Sequence, residues 1–301
     1  MGQQGTTTGA STRTEEVLQP SVALACNEVW GGNRKVVRAV QLPSLLAWVA
    51  CVPFNEREGG GDLHYMSVCD RDLIARVALA DVSGHGSEVN AAAQTLRSLM
   101  RKNIDDLDQS RFMRDINNTF KEKGEHKYAT AIALSFHRLT GQLSFSNAGH
   151  LPPLWYHAEE RSWGWLEEDG DPTPRKSFGL PIGLIPGTDY SQTVVILKPS
   201  DLLVLYTDGI TEAENGRGES LDRQILLAWA KQAPVDSPTA LGEALLERVE
   251  TFQGSCRSDD ETLLVLQREK GGLAKGALEV AARYLLLFSR RLKWMTSNNE
   301  P

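Results

Sequence analysis

Asp62, Asp81, Asp208 and Asp259 stand where short apolar runs begin or end, and this placement constrains the chain more than any other feature. The runs beside three of them are 77–80, 202–206 and 263–266. A carboxylate at the tip of a buried strand is held rigidly and is partly desolvated. Several such groups converging on one point repel each other unless cations lie between them. Oxygen-only ligands select hard cations, namely Mg²⁺, Mn²⁺ or Ca²⁺. Gly59-Gly60-Gly61 before Asp62 and Gly209 after Asp208 let backbone come close to a ligand. Each acid alone has an ordinary reading: an Asp-Gly turn, a helix cap at Asp81-Val82-Ser83-Gly84, a solvated loop at Asp259-Asp260. All four together, in this order, outweigh those readings.

The rest of the chain supplies the scaffold for such a site. Runs rich in Val, Leu, Ile and Trp at 35–40, 45–52, 63–68 and 73–80 predict strands, as do 193–198, 202–206 and 262–267. Residues 129–137 and 142–147 predict a hairpin around Thr140-Gly141. Val89, Ala92, Ala93, Leu96, Leu99 and Met100 recur at helical spacing, which predicts a helix over 87–102. Further helices are expected at 109–122, 222–232 and 238–253. Neighbouring strands are joined by short turns, so the pattern implies an α+β fold of antiparallel sheets with helices packed outside.

Three segments are expected. Residues 1–20 form a disordered tail, since their first part is Gly, Thr, Ser and Gln with almost nothing apolar. Residues 21–268 form one domain. Residues 269–301 form a basic amphipathic helix, with a stripe of Leu278, Ala281, Leu285, Phe288, Leu292 and Met295 and a basic face of Arg283, Arg290, Arg291 and Lys293. That stripe needs burial. Docking on the domain or on a second copy, giving a homodimer, is favoured over an anionic membrane surface, because packing is what usually stabilises protein helices.

Composition removes several classes. A formal net charge of -7 argues against nucleic-acid binding, which needs clustered Lys and Arg. Cys26, Cys51, Cys69 and Cys256 are scattered without a CxxC pair, as reduced cytosolic thiols are. No run approaches the roughly 18–20 apolar residues of a membrane helix, and no secretory leader is visible. A cytoplasmic protein is expected. The start Met1-Gly2-Gln3-Gln4-Gly5-Thr6 fits the myristoylation pattern, which is short and common by chance.

The acids sit in motifs. These are Gly60-Gly61-Asp62, Ala80-Asp81-Val82-Ser83-Gly84-His85-Gly86, Ser146-Asn147-Ala148-Gly149-His150, Leu205-Tyr206-Thr207-Asp208-Gly209-Ile210-Thr211-Glu212-Ala213 and Asp259-Asp260-Glu261-Thr262-Leu263. As an ordered set over roughly residues 45–268, the chain resembles the PPM, or 2C-type, protein phosphatases in their bacterial SpoIIE/RsbU-like branch. The resemblance implies an αββα sandwich with two Mn²⁺ or Mg²⁺ ions at one end. It implies a protein serine/threonine phosphatase, in which a water bridging the metals attacks phosphorus. It assigns Asp81 as the bridging ligand, with Asp62, the Val82 carbonyl, Asp208 and Asp259 completing the shells and Asp260 the lesser of its pair. The substrate class it implies is a phosphorylated regulatory protein of the anti-sigma-factor antagonist type.

Three positions depart from the family pattern. Tyr65 stands where this branch often has an outer acid. Arg57 has the spacing of a phosphate-holding arginine in a context that does not otherwise match. His85 is four residues after the bridging Asp rather than two. It is either the general acid for the leaving oxygen or a loop support, and His150 reads as a loop support. Residues 157–174 resemble the family's variable loop, a candidate substrate-contact surface. The alternatives are a catalytically weak phosphatase fold that binds a partner, an adaptor module and another metal hydrolase. The full set of acids disfavours the first two, and the acidic charge the third.

Overall fold

The computed structural model describes residues 21–55, 59–84, 87–103, 106, 108–124, 127–166, 179–254 and 257–270. The proposed tail, nearly all of the C-terminal helix, Arg57, His85, His126 and Cys256 therefore lie outside the described residues.

The strands are β1 (Val22–Ala23), β2 (Val29–Gly32), β3 (Val36–Leu42), β4 (Leu45–Val52), β5 (Leu63–Cys69), β6 (Ile74–Val82), β7 (Ala129–His137), β8 (Gln142–Ala148), β9 (Leu154–His157), β10 (Ser162–Trp165), β11 (Thr193–Ile196), β12 (Leu202–Tyr206) and β13 (Glu261–Arg268). The helices are α1 (Ser87–Lys102), α2 (Gln109–Lys123), α3 (Asp208–Thr211), α4 (Asp222–Ala230) and α5 (Pro238–Gln253). They form two sheets. One has seven strands in the order β1-β3-β4-β13-β12-β9-β10, the other six in the order β11-β8-β7-β6-β5-β2. The pairings between these strands are antiparallel, as expected, apart from the short parallel contact of β1 with β3.

Alternation along the strands explains the layering. In β6, Ala75, Val77 and Leu79 point between the sheets, while Ala78, Ala80 and Val82 point the other way, against α1 and α2. In β12 and β13, Leu203, Leu205, Leu264 and Leu266 meet them from the opposite sheet. Leu202, Val204, Leu263 and Val265 face α4 and α5. Three apolar layers therefore separate four layers of structure: helices, sheet, sheet, helices. Each Leu or Val so buried contributes roughly 1.5–3 kcal/mol against chain entropy. Ser237 caps α5 by accepting from the Ala240 amide, and Asp108 caps α2 by accepting from the Arg111 amide.

Residues 157–166 are not the open loop expected of them. Ser162–Trp165 pairs with Leu154–His157 to close the edge of the seven-stranded sheet. Trp163 stacks on Tyr156 with ring centroids 5.1 Å apart, which turns two aromatic residues into edge packing. Among the described residues no helix is long and apolar enough to cross a membrane.

Candidate metal centre

The same alternation that builds the core also builds the site. Residues 75, 77 and 79 of β6 face between the sheets, so Asp81 does as well. In β5, Met66 and Val68 face inward, which puts Asp62, just before the strand, on the same side. Leu63 pairs with Ala80, and the Val82 amide donates to the Gly61 carbonyl at 3.3 Å, so the register carries Asp62 to a position opposite Asp81. From the other sheet, the inward series in β12 continues to Thr207 and that in β13 extends back to Thr262 and Asp260. Asp208 opens α3 one residue later, and Asp259 precedes β13. Four acids from two sheets thus meet at the end where the sandwich opens.

Four hydrogen bonds pin this end together across long sequence distances. Thr207 Oγ1 donates to Asp62 Oδ2 at 2.7 Å and itself accepts from the Thr262 amide at 2.9 Å. Asp260 Oδ1 accepts from the Phe54 amide at 2.7 Å, and its Oδ2 from the Gly61 amide at 2.6 Å. The Asp260 carboxylate is therefore a clamp between β13 and the loop that carries Asp62. A Cβ on Gly60 would stand 2.5 Å from the Asp260 carboxyl carbon, and one on Gly209 would stand 2.0 Å from the Asp260 carbonyl oxygen, so both positions exclude any side chain. Asn33, 2% exposed, holds the same loop from behind: its Nδ2 donates to the Gly60 carbonyl and to Asn90 Oδ1, both at 2.8 Å.

Burial and mutual repulsion raise the acids. Asp62 is 1% exposed, and desolvation followed by the charge of Asp81 lifts its carboxyl well above the usual carboxylate range, against the opposing bond from Thr207. Asp81 is pushed up to about 7, first by burial and then by Asp208, Asp259, Asp260 and Glu212. Asp208 is raised by burial and by Glu212. Among the described residues no Lys or Arg forms an ion pair with Asp62, Asp81 or Asp208.

The donor types fit a hard cation. They are carboxylates and a backbone carbonyl, that of Val82, buried beside them. The nearby sulfur is no competitor, because burial and Asp62 push the Cys51 thiol up to about 12, which keeps it protonated at neutral pH. Among the described residues, no three acid, imidazole or thiol groups are gathered tightly enough to grip one ion as they stand. The acids sense one another electrostatically across the gap between the sheets.

Beside them lies a cleft of about 330 Å³, lined by Phe54, Gly59, Gly60, Gly61, Asp259 and Asp260 among others. Phe54 is 59% exposed at its rim. Lys127 Nζ sits near Gly84, in the loop that follows Asp81, and pairs with Glu88 at 3.5 Å. His150 is locked in a loop: its amide donates to Asn147 Oδ1 at 2.7 Å, Asn147 Nδ2 donates to its carbonyl at 2.9 Å, and its Nδ1 meets Thr130 Oγ1 at 3.0 Å. Burial pulls its pKa down to about 4, which suits a neutral support. Sequence reasoning did not foresee Thr207, Asn33 or Lys127 at this site, because each acts on residues distant in the chain.

Comparison with known proteins matches this arrangement to a family. The profile described as Stage II sporulation protein E (SpoIIE) matches residues 74–269, well over half of the chain. Phosphoserine phosphatase RsbU of Bacillus subtilis (strain 168) is 25% identical over 229 residues, covering 73% of this chain and 63% of RsbU. The chain thus spans less than two thirds of that relative. The crystal structure of the RsbU and RsbW domains of Rv1364c from Mycobacterium tuberculosis aligns with a TM-score of 0.66 at 24% identity, over 79% of this chain and 63% of that one. The catalytic domain of the serine threonine protein phosphatase PstP, in complex with two manganese ions, aligns with a TM-score of 0.51 at 17% identity, over 75% and 99%. By that profile over residues 74–269, the chain belongs to the SpoIIE family.

Proposed function

We propose that residues 21–268 form a metal-dependent protein serine/threonine phosphatase acting on a phosphorylated regulatory protein. The single observation that carries this reading is the meeting of Asp62 and Asp81 from one sheet with Asp208 and Asp259 from the other. They lie beside a cleft; burial raises the Asp62, Asp81 and Asp208 carboxyls, neighbouring acids raise them further, and none of these three has a basic partner among the described residues. Asp81 would hold two ions, with Asp62, Asp208, Asp259 and the Val82 carbonyl as the other ligands. Bound there, Mn²⁺ or Mg²⁺ would supply positive charge for the phosphoryl oxygens and acidify a water.

The protein's own contribution is positional. Thr207 fixes the Asp62 carboxylate, and Asp260 ties the Gly59–Asp62 loop to β13, so that the acids of both sheets keep one geometry. Asp260 commits both oxygens to backbone amides, which supports Asp259 as the ligand of that pair. The exposed Phe54 and the Gly59–Gly61 backbone line the side on which a phosphorylated segment would lie. Arg57, five residues before Asp62 in the sequence, is the candidate to hold the phosphate, and His85 either gives the proton to the leaving oxygen or supports its loop. The likeness to a phosphoserine phosphatase, RsbU, supports phosphoserine as the group hydrolysed, and the ordered motifs make a regulator of the anti-sigma-factor antagonist type, in a cytoplasmic setting, the proposed substrate.

The test is hydrolysis of p-nitrophenyl phosphate and of a phosphoserine peptide with Mn²⁺, with and without EDTA. Hydrolysis of both substrates that stops with EDTA and returns with Mn²⁺ is expected. Full activity in a metal-free preparation, or none at any Mn²⁺ concentration, would overturn the reading.

A further inference from the structure

A second polar pocket, of about 240 Å³, lies where β2, the β2–β3 turn, β5 and α1 come together. Its charge is opposite to that of the acid centre. Arg34, Lys35 and Arg38 reach it from the turn and β3, Arg97 from α1, and Trp30 and His64 close it from the six-stranded sheet. No acidic side chain among the described residues lines it. Among the described residues, Arg34, Arg38 and Arg97 have no carboxylate within ion-pair distance, although the chain as a whole carries -7.

Two of the residues that line this pocket each carry a buried polar atom with no hydrogen-bond partner among the described residues. One is Nδ1 of His64, a residue 2% exposed; the other is Nε of Arg38. An unpaired buried donor costs about 1–3 kcal/mol, so the orphaned guanidinium Nε–H of Arg38 calls for an acceptor beside this cationic pocket. Three arginines placed around one small volume also repel each other unless an anion lies between them.

We propose that this pocket binds a small phosphate-bearing anion, held by Arg34, Arg38 and Arg97 beside the His64 imidazole. A phosphate group suits the site better than a single carboxylate. It carries more charge, and its several oxygens can each take a guanidinium N–H in the planar two-pronged geometry that arginine offers. Trp30 packs at 5.2 Å from His64 and fixes the imidazole from one side. The pocket lies two residues along β5 from Asp62, and Asn33 joins the two sites: it lines the pocket, accepts from Gln94 Nε2 at 3.1 Å, and donates to the Gly60 carbonyl. Occupation of the basic pocket thereby stiffens the loop that carries Asp62. The proposal does not depend on the phosphatase reading.

The experiment is calorimetric titration of the full-length chain, in EDTA, with inorganic phosphate, pyrophosphate and glycerol phosphate, alongside tryptophan fluorescence. EDTA removes metal-assisted binding at the acid centre. Saturable binding of at least one probe is expected, with a fluorescence change that is lost in Trp30→Phe. Arg38→Gln and Arg97→Gln should each weaken it about tenfold or more, the loss of one charge-assisted contact, while Asp81→Asn leaves it unchanged. The exposed Arg34→Gln should also weaken it, which keeps the test valid if Arg38→Gln fails to fold. The absence of saturable binding of all three probes, or equal affinity in the wild type and every arginine variant, would overturn the proposal.

Discussion

The two sheets contribute acids to the centre in different ways. The six-stranded sheet supplies Asp62 and Asp81 from adjacent strands whose ladder fixes them opposite each other, and Asp62 is almost wholly buried. The seven-stranded sheet supplies Asp208 from the first residue of a one-turn helix and Asp259 from an exposed position before β13. The first pair is rigid and costly to ionise, and the second is better hydrated and freer to adapt. A centre that must hold charge firmly on one side and admit a substrate on the other has reason to be built unevenly. The hydrogen bonds of Thr207 and Asp260 join the two sides.

The largest effect should come from the rigid side. Asp81→Asn should lower phosphatase turnover on the order of 100-fold or more at saturating Mn²⁺, the scale of losing a principal electrostatic group. Asp208→Asn should fall in the same class but recover more at high Mn²⁺, because its site can adjust. A titration of rate against Mn²⁺ for both variants checks this, and identical curves would erase the distinction between the sheets.

The pH dependence of stability sharpens the same comparison. The Asp81 carboxyl is raised from 3.8 to about 7 in the folded metal-free chain. Between those values the folded chain holds a proton that the unfolded chain has lost, so stability falls as pH rises through the window and the loss is complete above about 7. Asp62 is shifted in the same direction. His64 and His150, pulled down to about 4 by burial, act oppositely but equally in the wild type and in an Asp81 variant. The urea midpoint of the metal-free wild type relative to Asp81→Asn should therefore decline from pH 4 to pH 8. A difference that stays flat would mean that Asp81 is not repelled as described.

The clamps should matter less, and to stability more than to chemistry. Asp260→Ala removes the acceptor for the Phe54 and Gly61 amides and should cost on the order of 2 kcal/mol in urea unfolding, with weaker Mn²⁺ binding. Thr207→Val keeps the shape and loses the bonds to Asp62 and to the Thr262 amide, for about 1 kcal/mol. If Thr207→Val costs more than Asp260→Ala, the join between the sheets runs chiefly through Thr207.

Much of this was legible in the sequence wherever a local pattern carried the information. The period of Val89, Ala92, Ala93, Leu96 and Leu99 marked α1, and the continuous apolar runs marked β4, β6, β12 and β13. The four ligand candidates stand out in the sequence because Asp62, Asp81 and Asp208 lie next to a glycine or at the end of an apolar run and Asp259 lies shortly before the run 263–266. What was not legible depends on pairing. β2 ends in Gly31-Gly32 and β10 contains Gly164, so neither has the apolar alternation of a strand, and both exist because a neighbouring strand accepts them. Thr207 bonds Asp62 across 145 residues and Asp260 bonds Gly61 across 199, separations at which no spacing rule applies. The basic pocket was hidden for the same reason: Arg34 and Arg38 come from one end of the chain segment, Arg97 from a helix, and a net charge of -7 masks them.

The central claim is that acids from both sheets act as one two-ion centre. Calorimetric titration of the EDTA-treated chain with Mn²⁺ tests it most directly. Two ions per chain are expected, with Asp81→Asn weakening both binding events and Asp208→Asn chiefly one. A single ion per chain, or two that bind equally well to the wild type and to Asp81→Asn, would contradict it.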